Sequence, residues 1–230
     1  ATSNPKTGGP LLASWDHRLE ADSAAAALWN VWYYRHLSPT YGQLVLDGEK
    51  SPPGNLSTQQ ILKMLATPAG KSIAINTLRS AWEDTVERLG NDSDTWQWGD
   101  LHKIGFRHPL LHLASPELME KMRVSTYPRG GSANTTNNTG FGSDNFDVRS
   151  GASFRIVIDV GNWDEAKITN APGQSGDPRS RFYDNLLENW ATDGYVPLLF
   201  SRERVEESAV ERIILLPANE TEPIFKRSEE

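Results

Sequence analysis

Histidine, serine and carboxylate side chains are the ones able to move protons or attack a carbonyl, and their spacing here limits each of them. His108 and His112 stand one helical turn apart, as two zinc ligands on a helix would. Pro109 lies between them and no glutamate follows His108, so the metalloprotease pattern fails and both read as structural histidines in an aromatic loop. His102 and Asp100 are close enough for a local hydrogen bond, but no serine is placed by sequence to complete a triad. Ser175 lies in Asn170–Gly176, NAPGQSG, where Gly176 follows it directly. The nucleophile elbow needs one residue between serine and second glycine, so that motif fails as well. Pro172 and Gly173 instead suit the centre of a type II turn, whose second central residue takes positive φ.

The remaining chemistry is diffuse. Glu203, Glu206 and Glu207 at helical spacing form a solvated face. Asp16 and Asp22 flank a helix start, where a carboxylate stabilises exposed N–H groups by about 0.3–1 kcal/mol. Asp159, Asp164 and Asp177 fall at a strand end and in turns, and nothing selects an acid–base pair among them. The glycine-rich PRGGSAN lacks the lysine and the spacing of a phosphate loop. Most of the eight tryptophans are core material, while Trp96 and Trp98 can also line a hydrophobic pocket. No residue is assigned to catalysis, to a metal or to substrate binding.

Helices and strands must position these groups. Ser23 or Asp22 caps AAAALWNVWYYRHL, in which Leu28, Val31 and Trp32 share a buried face and Pro39 ends the helix. Ser57, with Gln60 three residues on, resembles a capping box for a helix turning Ile61, Leu62 and Leu65 inward. KSIAINTLRSAWEDTVERLG carries Ala74, Leu78, Trp82, Val86 and Leu89 at spacings of four and three, and Gly90 fits its C-terminal cap. Each large side chain on that face contributes about 1.5–3 kcal/mol when fully buried.

Residues 96–113 read as a strand and a loop, and 128–145 as a polar glycine-rich loop of a length usually functional, mobile or covered by a partner. ASFRIVIDVGNW alternates Phe154, Ile156 and Ile158 with Arg155, Val157 and Asp159, a strand with at least one buried face. SRFYDNLLENWATDG is a helix burying Phe182, Leu186, Leu187 and Trp190 and closed by Gly194. YVPLLF is a short strand, Ser201 caps RERVEESA, and ERIILLP is a last strand. The irregular alternation predicts an α+β fold. The chain reads as a single unit over 1–230, with 1–10 and 218–230 loose.

Composition excludes several classes. A formal charge of −7 and a pI near 5.3 argue against a nucleic-acid surface. No apolar run approaches the ~20 residues of a membrane span, and no signal peptide is visible. The absence of cysteine removes disulfides, thiolate metal sites and a cysteine nucleophile. Sequons at Asn55, Asn91, Asn134, Asn137 and Asn219 matter only in a eukaryotic secretory setting.

Three ordered stretches carry a resemblance: LLASWDHRLEADSAAAALWNVW, WQWGDLHKIGFRHPL, and residues 150–206 from SGASFRIVIDVGNW to SRERVE. Together they resemble the C-terminal part of the β chain of the penicillin acylase family, amidases with an N-terminal nucleophile that deacylate β-lactams, acyl-homoserine lactones and lipopeptides. The resemblance implies part of a four-layer αββα sandwich. It also implies a serine at the start of the β chain, whose own α-amino group is the base. The first residue here is Ala1, and the family's serine, oxyanion asparagine, nearby arginine and calcium ligands all precede the segment matching Trp15-Asp16, so none is carried over. The expectation is a piece inactive by itself that assembles with the acylase α chain and the serine-bearing part of the β chain. Its substrate would be a small N-acyl compound, any calcium would be held by other segments, and the location would be periplasmic or secreted. A non-catalytic scaffold or binding module is the alternative.

Overall fold

The computed structural model describes residues 8–46 and 56–215, a mixed α+β arrangement with its longer helices first and short strands after them. Gly8–Pro10, expected to be loose, open the helical turn α1 (Gly9–Ala13), and Gly8 is buried under Leu28 and Trp82. The other expected loose residues, 1–7 and 218–230, lie outside the described residues.

Ser23 caps α2 (Ala24–Val31) by accepting the Ala26 N–H at 3.1 Å. Pro39 does not end this helix. Residues 32–37 wind as a π-helix and run straight into α3 (Ser38–Leu46). The Ser38 N–H reaches back to the Tyr33 carbonyl, and the wider turn makes room for a proline ring that a regular α-turn would reject. The capping box at Ser57 forms, with Gln60 Oε1 accepting the Ser57 N–H at 2.8 Å, and opens α4 (Thr58–Leu65). Ile61 turns inward and Leu65 packs beside it, but Leu62 is exposed.

The long helix α5 (Pro68–Leu89) starts earlier than its periodic face, capped by Thr67 with Pro68 in the first position, and ends at Gly90 with φ 92°. Its Ala81 meets Ala26, Ala27, Leu28 and Val31 of α2 in the main core, and Leu78, Trp82, Val86 and Leu89 pack around that contact. Small alanines let the two helices approach closely, so α5 buries large side chains only partly.

Residues 96–113 are not a strand and loop. Trp98 begins the helical turn α6 (Trp98–Leu101), followed by the two-residue β1 (Lys103–Ile104). Trp96 and Trp98 are both at most 1% exposed and belong to the core rather than to a pocket wall. Their indole N–H groups donate to the carbonyls of Gly90 and Gly131 at 2.8 and 2.9 Å. Beyond α7 (Pro116–Met122), β2 (Tyr127–Pro128) pairs with β1, and β3 (Thr139–Phe141) pairs antiparallel with β4 (Val148–Gly151). The segment 128–145 therefore wraps the core instead of standing away from it, with Arg129, Ser132 and Thr139 buried and Gly131 N–H donating to Leu19 O at 2.7 Å.

The last sheet is antiparallel, with β6 (Lys167–Thr169) between β5 (Arg155–Val157) and β7 (Val196–Pro197). The expected buried apolar face does not form: within β5 only Arg155 faces inward, at 7% exposure, while Ile156 and Val157 are 41% and 56% exposed and the flanking Phe154 and Ile158 are 54% and 45% exposed. Only Leu187–Ala191, α8, of the expected helix over 180–194 forms, and Phe182 is exposed. The residue in the left-handed region after α8 is Asp193 (φ 59°), not Gly194. Ser201 caps α9 (Arg202–Ser208) as expected. Residues 211–215 take no strand conformation, Ile213, Ile214 and Leu215 are exposed, and the rest of the expected strand, 216–217, lies outside the described residues.

The turn at 170–176 is also different from the expected type II. The Ala171–Pro172 bond is cis and Gly173 does not take positive φ. Glycine is needed there for a close approach, because a Cβ would lie 2.3 Å from the Phe182 carbonyl oxygen. Among the described residues no helix is long and apolar enough to cross a membrane.

Two substitutions test this packing by urea denaturation of protein containing the chain. Trp98→Ala is expected to cost about 3–5 kcal/mol, and Gly173→Ala about 1–3 kcal/mol through the forced backbone shift. A loss under ~0.5 kcal/mol for either, the range of an ordinary surface change, contradicts the assignment.

Candidate functional site

A cleft of ≈ 860 Å³ opens between β1 with the loop after it, the end of α7, and β4, within the range of small-molecule sites. Ile104, Met122, Val148 and Trp190, all buried, form its floor with the half-buried Phe106 and Val124. Lys103, Arg107, Arg123 and Arg149 line its mouth, with Asp147 as the lining carboxylate. His108 lies in the wall, and both ring nitrogens are engaged. Nδ1 accepts the Leu110 N–H at 3.1 Å, so Nε2 carries the proton and donates to the Gly176 carbonyl at 3.1 Å. That double anchoring leaves no lone pair for a general base and fixes the landmark turn against this wall.

Behind the floor sits a cluster that sequence reasoning missed. Arg129 and Arg155, with side chains 3% and 7% exposed, both donate to Oδ1 of Asp193, at 2.9 and 2.5 Å. Asn137 Nδ2 adds a third donor at 2.8 Å. Arg155 also donates to the Trp190 carbonyl at 2.6 Å and Arg129 to the Ala191 carbonyl, and both guanidiniums lie over the Trp190 ring. Burial alone would raise the Asp193 pKa, but hydrogen bonds and charge from the two arginines outweigh it and hold the carboxyl below its usual value. A second knot joins the π-helix to α5: Asp84 accepts from Arg88, Arg35 and His36 at 2.7, 2.9 and 3.0 Å. Burial works against its ionisation, and these three donors more than offset it.

Neither cluster contains a nucleophile. Among the described residues no serine or threonine hydroxyl is hydrogen-bonded to a histidine ring or a lysine ammonium; the Thr40 hydroxyl reaches only the His36 backbone carbonyl. His102 bonds the Phe146 carbonyl at 2.9 Å rather than Asp100, and stacks on Trp98 at 4.6 Å. Burial pushes its pKa down to about 4, aided by the charge of Arg129 and opposed by the Phe146 hydrogen bond. His112 lies exposed on a single turn of 3-10 helix, and no group of three or more His, Cys, Asp or Glu converges among the described residues. Asp159 and Asp177 accept local backbone N–H groups and Ser175 accepts the Asp177 N–H, so these three are turn-formers, while Asp164 accepts the distant Phe200 and Ser201 N–H groups and ties the start of α9 to its own turn. Glu203, Glu206 and Glu207 are exposed on α9.

The penicillin amidase family model matches residues 3–207 of this chain. The chain belongs to the penicillin amidase family. Among curated family relatives, the acyl-homoserine lactone acylase QuiP of Pseudomonas putida is 32% identical over 64% of this chain and 18% of its own length. Penicillin acylase 2 proenzyme of Pseudomonas sp. (strain SE83) is 28% identical over 90% of this chain and 28% of its own length. A QuiP of Pseudomonas syringae pv. tomato is 29% identical over 94% of this chain and 29% of its own length. The solved structure of thermostable penicillin G acylase from Alcaligenes faecalis aligns with 96% of this chain and 44% of that chain, at a TM-score of 0.46 and 16% identity. This family member spans less than a third of the length of those curated relatives.

Two measurements test the electrostatics. Asp193→Asn leaves two buried guanidiniums without their counter-charge, and with solvent screening at this half-exposed carboxylate we expect a loss of about 1–3 kcal/mol. An unchanged midpoint contradicts the clamp. His102 binds a proton in the unfolded chain below pH 6.5 but in the folded chain only below about 4. The unfolded state thus holds the extra proton in that window, so stability rises with pH from about 4 to 6.5. His102→Gln should flatten this part of a pH series of unfolding midpoints, and an unaltered slope would overturn the assignment.

Proposed function

We propose that this chain is a non-catalytic C-terminal segment of the β chain of a penicillin acylase-like amidohydrolase. It acts as a single unit that completes a four-layer αββα sandwich around a nucleophile carried on another segment. In this reading the hydroxyl of an N-terminal serine attacks the carbonyl of an N-acyl substrate and its α-amino group takes the proton. The amine leaves with a proton, and water hydrolyses the acyl–serine ester to release the acid. An α-amine with a pKa of about 7.7–8.0 suits that exchange at neutral pH. The substrate class is a β-lactam, an acyl-homoserine lactone or a lipopeptide. The partners are the α chain and the serine-bearing part of the β chain, any calcium belongs to those segments, and the assembly works in the periplasm or outside the cell.

What supports this reading most is the exposed apolar run in and around β5. Phe154, Ile156, Val157 and Ile158 are all exposed, with Val160 and Trp163 following them at 83% and 49% exposure. Such a density of exposed apolar side chains marks a surface covered by another protein segment. The share of each relative's length that lies outside this match leaves ample chain to cover it.

Expressed alone, the chain is expected to release no acid from an N-acyl amide, and protein purified from its source should contain a chain beginning with serine by mass spectrometry. A lone soluble 25.6 kDa species points to the scaffold alternative instead. Deacylation by the isolated chain that is abolished by altering one of its own residues would overturn the proposal.

A further inference from the structure

The mouth of the cleft carries cations in a chain whose formal charge is −7. Three of the four already have acids beside them. Arg149 is held by both oxygens of Asp144 at 2.7 and 2.8 Å, Arg123 lies 3.3 Å from Glu120, and Lys103 lies 3.7 Å from Asp100. The lining carboxylate, Asp147, accepts from Asn145 at 2.6 Å and is not paired with any of them. Arg107 is exposed at the mouth and has no ion-pair partner among the described residues. Arg107 and Asp147 are therefore the two charges at this entrance without an ion-pair partner among the described residues, and Arg107 is the cation of the two.

Below it the cleft is apolar and firmly built. Trp190 and Phe106 meet edge to face at 6.1 Å, and the Tyr183 hydroxyl donates to the Met122 carbonyl at 2.8 Å, pinning the α7 side of the floor. Behind Trp190 the two buried guanidiniums hold the indole in place. A rigid apolar floor under one unmatched guanidinium calls for a ligand with an apolar body and one planar anionic head. A guanidinium binds a carboxylate through two parallel hydrogen bonds, and an alkyl or aryl body gains by leaving water for the floor.

We propose that this cleft binds an amphiphilic monocarboxylate, its carboxylate on Arg107 and its apolar chain over Ile104, Val148 and Trp190. The inference is independent of the hydrolytic reading, because it concerns binding and not turnover. Acid released by hydrolysis of an N-acyl amide and acid taken from the medium share this chemistry, and directly added acid tests the site without any turnover.

The test uses the complete protein purified from its source and a medium-chain fatty acid with a photoreactive diazirine on its alkyl chain. Labelled peptides are mapped by mass spectrometry. Label is expected on residues 103–126 and 148–153, to be competed by excess octanoate, and to fall at least tenfold for the methyl ester of the probe and for Arg107→Gln. Retention of label by Arg107→Lys would show that charge at this place, rather than a folding defect of the glutamine variant, governs it. Acetate, which has the head without the body, should not compete. Absence of label from these peptides, equal labelling by the methyl ester, or labelling insensitive to Arg107→Gln would each overturn the proposal.

Discussion

Arg155 faces inward from β5, and the character of the C-terminal half follows from that. Side chains along a strand alternate between its two faces. With Arg155 drawn in by Asp193 and the Trp190 carbonyl, Ile156 points out, and Val157 on the Arg155 side is also 56% exposed, so this strand buries its arginine and no apolar side chain. A buried guanidinium is costly unless its donors are met. Here one carboxylate, one backbone carbonyl and two aromatic faces receive it, and Nε has no hydrogen-bond partner among the described residues. The same cluster fixes Arg129, closes α8 through the left-handed Asp193, and backs Trp190 at the cleft floor.

The two halves of the chain stand differently toward solvent. The main core is built by α2, α5 and the indoles of Trp96 and Trp98 and is closed by Phe146 and Phe141 from the later part of the chain. After residue 110 apolar side chains increasingly face outward, including Val160, Phe200, Val210 and Leu215. Association would remove that surface from water at a gain of about 25 cal/mol for each Å² of apolar area buried. In the proposed assembly the helical half would be a platform and the stranded half a contact surface.

Where local chemistry decides, the sequence was readable. The caps at Ser23, Ser57 and Ser201 formed where hydroxyl and following pattern place them, and α5 follows its four-and-three spacing. Long-range partners decided the rest. Pro39 persists inside a helix because six preceding residues adopt a π turn, for which no propensity rule gives a signal. Alternation in 154–159 located a strand but not the burial of Arg155, since its partner Asp193 lies thirty-eight positions away. The polar stretch 128–145 read as a long loop because its ties run to the distant Leu19, Trp98 and Asp193 through backbone groups, Asn137 and the Arg129 guanidinium. Of the ion clusters, only Asp84–Arg88, four residues apart on one helix, had a visible signature. Family membership was legible because long ordered runs such as 150–206 retain the family pattern.

The account is tested most directly by carbene footprinting of Phe154, Ile156, Ile158 and Val160, comparing protein purified from its source with the isolated chain. If these side chains seat against the serine-bearing remainder of an acylase, they should be labelled in the isolated chain and protected in the native protein. Equal labelling of these four positions in both preparations would contradict it.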